Sequence, residues 1–177
     1  MQTLAIIKPD AIASGKAGAI LKHLQEAGFT LRAARLVRLT LPQAEAFYAV
    51  HKGRPFFPEL VTFMTSGPCM PMALVRADAV AQLRTVIGAT DPAEAAPGTI
   101  RKLYAESKGR NAIHASDSDE NAAREIAFFF TEGELAGLAV NALRGNPLCL
   151  VDQHAHAAIP YSPETAATIF CAASAMS

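Results

Sequence analysis

The stretch Asn111-Ala112-Ile113-His114-Ala115-Ser116-Asp117-Ser118 sets a single histidine at the end of a short apolar run and follows it with side-chain oxygens. Ser116, Asp117 and Ser118 are N-cap residue types, because their oxygens can accept the unpaired amides of a helix's first turn. A helical pattern begins directly behind them, with Ala122, Ile126, Phe129 and Phe130 on one face. Glu125 borders that face. A carboxylate at the edge of an apolar stripe needs a partner, and His114 is the nearby candidate. A histidine braced by a carboxylate is prepared for nucleophilic attack or proton transfer. Taken alone, such a histidine is more often a buried and satisfied one. Its company elsewhere in the chain decides against that.

Lys8 follows the apolar run Leu4 to Ile7 and sits just past a buried strand end. Spacing alone leaves a snorkelling lysine and a functional one equally open. Arg84 falls in the last turn of a helical pattern, where a cation suits the negative end of the helix dipole. Arg101 lies in the segment Thr90 to Tyr104, which Pro92, Pro97 and Gly98 interrupt. A loop of that length in a compact domain is more often functional than idle. Tyr48 and Phe56 recur at helical spacing with other apolar residues, and on pattern alone both read as core. Arg32, Arg35 and Arg38 lack interleaved aromatics, so they read as a solvated strand face rather than a nucleic-acid contact. His154 and His156 form a His-Ala-His pair with no third ligand evident, and a metal site there is not expected. Gly15-Lys16-Ala17-Gly18 lacks the glycine spacing of a P-loop.

The His114 segment resembles the active-site signature of nucleoside diphosphate kinases. Five other segments resemble motifs of the same family, in family order: Ala5-Ile6-Ile7-Lys8-Pro9-Asp10, Arg54-Pro55-Phe56-Phe57, Met64-Thr65-Ser66-Gly67-Pro68, Gly88-Ala89-Thr90-Asp91-Pro92 and Pro97-Gly98-Thr99-Ile100-Arg101. The likeness spans about residues 1 to 138 and leaves 139 to 177 as a C-terminal extension, expected to pack on the domain or on a neighbouring subunit. It departs from the family at Ala115, where glycine is commonest, and at Lys108, where an apolar residue often closes the base site.

The resemblance implies ping-pong transfer of the γ-phosphate of a nucleoside triphosphate, typically ATP, to a nucleoside diphosphate through a phosphohistidine on His114. Glu125 and Ser116 would brace the ring. Lys8, Tyr48, Arg84, Thr90 and Arg101 would meet the phosphates. Asn111 would hold the ribose with Lys8, and Phe56 would offer its face to the base. Stacking alone tolerates every base. The implied cofactor is Mg²⁺ bridging phosphates, with Asp117 as an outer-sphere partner through water. Implied partners are nucleoside di- and triphosphates and further copies of the chain, a hexamer ahead of a tetramer. The alternative is a catalytically weak nucleotide-binding or scaffolding member. The implied fold is α+β: a ferredoxin-like βαββαβ sandwich with an antiparallel four-stranded sheet and an inserted helical hairpin.

The elements required to position these residues are legible. Leu4 to Ile7, Thr30 to Leu41, Met70 to Val75 and Asn111 to Ala115 read as strands. Lys16 to Ala27 reads as a helix closed by Gly28, and Ala77 to Ile87 as one closed by Gly88. Between the second and third strands, a helix from Leu41 and one from Phe56 capped by Gly67 form the hairpin. The helices are expected on one face of the sheet. In the extension, Glu164 to Ala172 is a candidate last helix.

A chain of 177 residues with 51% hydrophobic residues is long enough for one domain with a full core. Sixteen basic and 16 acidic side chains balance, which gives no support for general binding to nucleic acid or a membrane surface. No apolar run reaches a membrane span, and Met1-Gln2-Thr3 leads into a strand rather than a signal peptide. Cys69, Cys149 and Cys171 are odd in number without metal spacing, which points to reduced thiols in the cytoplasm.

Overall fold

The computed structural model describes residues 1–136. The extension, with its expected helix and the pair His154 and His156, lies outside the described residues.

The order is β1 (Gln2–Ile7), α1 (Pro9–Ala13), α2 (Ala17–Glu26), β2 (Thr30–Ala34), α3 (Leu41–Phe47), α4 (Phe57–Thr65), β3 (Met70–Val75), α5 (Ala79–Ile87), α6 (Ile100–Tyr104), β4 (Ile113–Ala115) and α7 (Asp119–Phe129). The strands form one sheet in the order β2-β3-β1-β4, with every neighbouring pair antiparallel. Each half is a strand, a helical crossover that steps over one strand, and a return. This is the ferredoxin-like α+β arrangement expected from the sequence.

Helices cover both faces of the sheet, which corrects the one-face expectation. Ala5 and Ile7 of β1 join a core with Ile20, Leu24, Met72, Leu74, Leu83 and Ile87, under α2 and α5. Leu4 and Ile6 join the opposite core with Val61, Met64, Ala73, Ile126 and Phe129, under α3, α4 and α7. A strand buried on both faces has no polar side to show, which is why β1 reads as an unbroken apolar run.

Three local expectations also shift. Pro9 ends β1 but opens a short helix, since its fixed φ suits the first helical position. The second strand stops at Ala34 after an irregularity between Leu31 and Ala33, and only the Val37–Cys69 bridge continues the pairing. Its arginines are not merely solvated: Arg32 donates to the Leu135 carbonyl, Arg35 pairs with Glu134 and lies over the Phe130 ring, and Arg38 donates to the Ser66 carbonyl. At the end of α4 the cap is Ser66 in helical conformation, so Gly67 does not close it in a left-handed turn.

Capping agrees with sequence chemistry elsewhere. Thr40 and Gln43 form a reciprocal capping box on α3, and Ser118 accepts the Asn121 amide to start α7. No helix among the described residues is long and apolar enough to cross a membrane.

Gly88 closes α5 at φ 82° and ψ −176°, a region that only glycine occupies readily. A methyl group there would stand 2.5 Å from Thr99 Oγ1 and 2.8 Å from Thr99 Cβ. Backbone strain and overpacking add, so Gly88→Ala should cost about 2–5 kcal/mol, read from urea unfolding. A variant as stable as the parent would show that this junction yields without strain.

Candidate active site

β4 is short, and its register against β1 decides where the histidine points. His114 stands opposite Ile6, so its ring faces the layer of α3, α4 and α7. Phe47 and Tyr48, at the end of α3, present their rings edge-on to the imidazole at centroid distances of 5.5 and 5.9 Å. From α7, Glu125 Oε2 lies 3.0 Å from His114 Nε2 and accepts a bond from Ser116 Oγ at 2.7 Å. Ser116 is fully buried, and its hydroxyl also accepts the Leu4 amide. With Nε2 committed to a carboxylate, that nitrogen carries the ring hydrogen and Nδ1 keeps a lone pair.

Lys8 is buried at the end of β1. Its Nζ donates to Asn111 Oδ1 at 2.7 Å, and Asn111 Nδ2 donates in turn to the Lys108 carbonyl. Burial, and then the Arg101 charge, push the Lys8 ammonium down to about 8, against an upward pull from Asp10. Arg101, on α6, donates to the carbonyls of Gly88 and Ile113 at 2.9 and 3.0 Å. Burial, and then Arg84, push Arg101 down to about 10. Arg84 is exposed on α5. Asp117 is exposed too, and is held below its ordinary range first by the hydrogen bond from Asn121, with Arg84 and His114 contributing.

Around the imidazole, two buried donors are left over. The Tyr48 hydroxyl and Arg101 Nε have no partner among the described residues. Burial holds the Tyr48 phenol far above its ordinary range, so it remains a donor. Unpaired buried donors are expensive, and an arriving anion would give both a partner.

Lys8, Phe56, Thr90 and Asn111 line one cavity of about 630 Å³, together with Glu59 and Lys108. Phe56 is 49% exposed at its mouth, not buried as its helical spacing suggested. Arg84 and Asp117 stand together on a second, shallower cavity of about 540 Å³. His114, Glu125, Ser116 and Tyr48 form a separate tight cluster, and Arg101 reaches it through the carbonyl of Ile113. Ala115 has no left-handed φ, so its methyl asks nothing unusual of the backbone. Two residues escaped the sequence reading. Phe47 flanks the imidazole, and Phe63 places its ring 5.9 Å from the Lys8 ammonium. Both looked like ordinary helical core, and pattern alone cannot separate the two uses.

A braced imidazole beside a crowd of cations, on a small antiparallel α+β domain, is the equipment of a phosphotransferase. The nucleoside diphosphate kinase family model matches residues 1–135. The chain is 58% identical over 134 residues to a nucleoside diphosphate kinase of Chlorobium chlorochromatii, covering 76% of this chain and 96% of that one. It is 58% identical over 135 residues to one from Sorangium cellulosum, covering 76% and 94%. Among solved structures, Aquifex aeolicus nucleoside diphosphate kinase superposes with a TM-score of 0.74 at 47% identity, covering 75% of this chain and 96% of that one. The Halobacterium salinarum enzyme in complex with CDP gives 0.73 at 40% identity, covering 76% and 90%. The chain belongs to the nucleoside diphosphate kinase family, the enzymes that move phosphate between nucleotides.

The Lys8 shift makes a pH prediction for the nucleotide-free protein. An unfolded lysine titrates near ~10.4, so between pH 8 and that value the unfolded chain binds more protons than the folded one. Stability from this group therefore rises with pH. The cost of keeping Lys8 charged is full below pH 8 and fades toward ~10.4. Lys8→Met should be more stable than the parent at pH 7, with the gap closing by pH 10. Denaturant titrations showing a pH-independent gap would mean that Lys8 is not desolvated.

Proposed function

We propose that this chain transfers the γ-phosphate of a nucleoside triphosphate to a nucleoside diphosphate in two displacements on His114. The observation that carries the reading is the shared carboxylate oxygen, 3.0 Å from the imidazole and 2.7 Å from Ser116. It fixes the tautomer and leaves Nδ1 as the nucleophile. In the first displacement the Nδ1 lone pair attacks the γ-phosphorus, and the bond to the β-phosphate oxygen breaks. The diphosphate leaves, and the ring becomes a phosphoimidazole whose Nε2–H faces the Glu125 carboxylate. In the second, an oxygen of the incoming diphosphate attacks the same phosphorus and Nδ1 regains its electrons.

Lys8, Arg84, Arg101, Thr90 and Tyr48 would neutralise and orient the phosphates, the larger part of phosphoryl-transfer catalysis. Asn111, already bonded to Lys8, would hold the ribose, and Phe56 would stack on the base. Among the described residues no group of three or more His, Cys, Asp or Glu could cage a metal. Asp117 would hold Mg²⁺ through water. Bound there, Mg²⁺ supplies charge neutralisation across the phosphates. The reading extends to a cytoplasmic homo-oligomer, a hexamer ahead of a tetramer. The zero net charge leaves no long-range repulsion between copies.

His114→Ala should abolish transfer while ADP binding persists. Mass spectrometry after mixing the parent with ATP should show one added phosphoryl group that the variant lacks. Substantial turnover by His114→Ala would sink the mechanism.

Glu125→Gln should lower kcat by about one to two decades, since a charge-assisted bond is worth roughly 1.5–3 kcal/mol. An unchanged kcat would remove Glu125 from the chemistry.

A further inference from the structure

Ala112, two residues before His114, has φ 66°, the left-handed region that a side chain rarely adopts. The Ile113 amide donates to the Asn111 carbonyl at 2.7 Å, across Ala112. A bond from residue i+2 to residue i around a positive φ closes a γ-turn of the rare, strained hand. Such a turn persists only where its surroundings over-determine it. Ala112 is wholly buried, so no water can do so.

The surroundings are the start of α1. Asp10 is 4% exposed, and its Oδ2 accepts the Ala112 amide at 3.0 Å. The Lys8 amide donates to the Ala112 carbonyl at 2.9 Å. The peptide groups on both sides of Ala112 are therefore gripped from one short segment, Lys8 to Asp10. Asp10 Oδ1 has no partner among the described residues, so this carboxylate makes one side-chain contact, and it goes to the turn. The turn's two flanking residues point to separate parts of the site. Asn111 bonds Lys8 on the cavity wall, and Ile113 leads directly to His114 and offers its carbonyl to Arg101.

We infer that Asp10 is a positioning residue: it locks the strained turn at Ala112 and so fixes Asn111 and His114 relative to each other. The carboxylate makes no hydrogen bond to the imidazole and acts through the backbone. This inference rests on the reading of His114 as the phosphoryl carrier. The acceptor, rather than the charge, is the working feature. An asparagine could keep that acceptor and put its amide in the slot of the unpartnered Oδ1.

The test compares Asp10→Ala, Asp10→Asn and the double variant Asp10→Ala with Ala112→Gly, each assayed at a temperature where it is folded by circular dichroism. Asp10→Ala should lower kcat about 10–100-fold, because a displacement of roughly 1 Å at a reacting group costs that much. Asp10→Asn should stay within about threefold of the parent, since the hydrogen bond survives. Glycine at 112 takes the positive φ without strain, so the double variant should regain about tenfold over Asp10→Ala, equivalent to about 1.4 kcal/mol of removed strain.

Three results would each overturn the inference: Asp10→Ala with parental kcat at any thermal stability, Asp10→Asn as poor as Asp10→Ala, or a double variant no better than Asp10→Ala. A parent that forms no phosphohistidine would instead sink the functional reading. In that case the ¹H–¹⁵N signals of the His114 ring and the Ala112 amide still decide. They should move in Asp10→Ala and stay in place in Asp10→Asn.

Discussion

Glu125 Oε2 accepts from His114 Nε2 and from Ser116 Oγ at the same time, and much of the site hangs on that one oxygen. It ties the last strand to the last helix. It sets which ring nitrogen bears hydrogen. It also explains why a serine with no exposure follows the histidine two residues on. Side chains at that spacing share one face of a strand, so both can reach the same acceptor. The Leu4 amide on the Ser116 hydroxyl then carries the constraint into the centre of the sheet. The imidazole is held by the fold's interior, not by a loop.

The cationic side of the site works against stability. Burial disfavours the charges of Lys8 and Arg101, and both titrate below their ordinary range, with exposed Arg84 lowering Arg101 further. Tyr48 and Arg101 add buried donors without acceptors among the described residues. Each would be a defect in a protein selected only to fold. A ligand carrying several negative charges supplies what all of them lack. Binding energy of that kind would become available only with an anionic ligand, the usual sign that stability has been exchanged for function.

The strongest local signals carried well from sequence to structure. The apolar run of β1, the boundaries of β3 and the stop at Gly88 were plain because each rests on short-range chemistry. The cover on both faces was also present in the unbroken burial of Leu4 to Ile7, but only the pairing order shows which helices supply it. The second strand was overextended because Leu36 to Leu41 still looks like strand. The ladder carries a bulge between Leu31 and Ala33 and stops at Ala34, and the segment around Glu134 and Leu135 sits against Arg32 and Arg35, contacts about a hundred positions apart. Motif resemblance located the candidate chemistry. It gave no hint that Ala112 is strained or that Asp10 grips it, because a positive φ at alanine leaves no mark in a pattern of residue types.

These pieces divide the site into a fixed end and an open one. At the fixed end, His114, Glu125, Ser116, Asn111 and Lys8 are buried or nearly so, and sheet pairing or hydrogen bonds hold each. At the open end, Phe56 is half exposed on the helical hairpin, with Lys108 and Glu59 near it. Precision is needed where a bond to phosphorus forms and breaks, since catalysis there depends on tenths of an ångström. In the proposed reading, the Phe56 face would offer a base attraction without hydrogen-bond selection, because every nucleobase has a surface to stack. An enzyme that must treat many nucleotides alike gains from rigid grip on what they share and loose contact with what differs. The burial gradient from the His114 cluster, through Lys8 and Asn111, to Phe56 at the cavity mouth has that form.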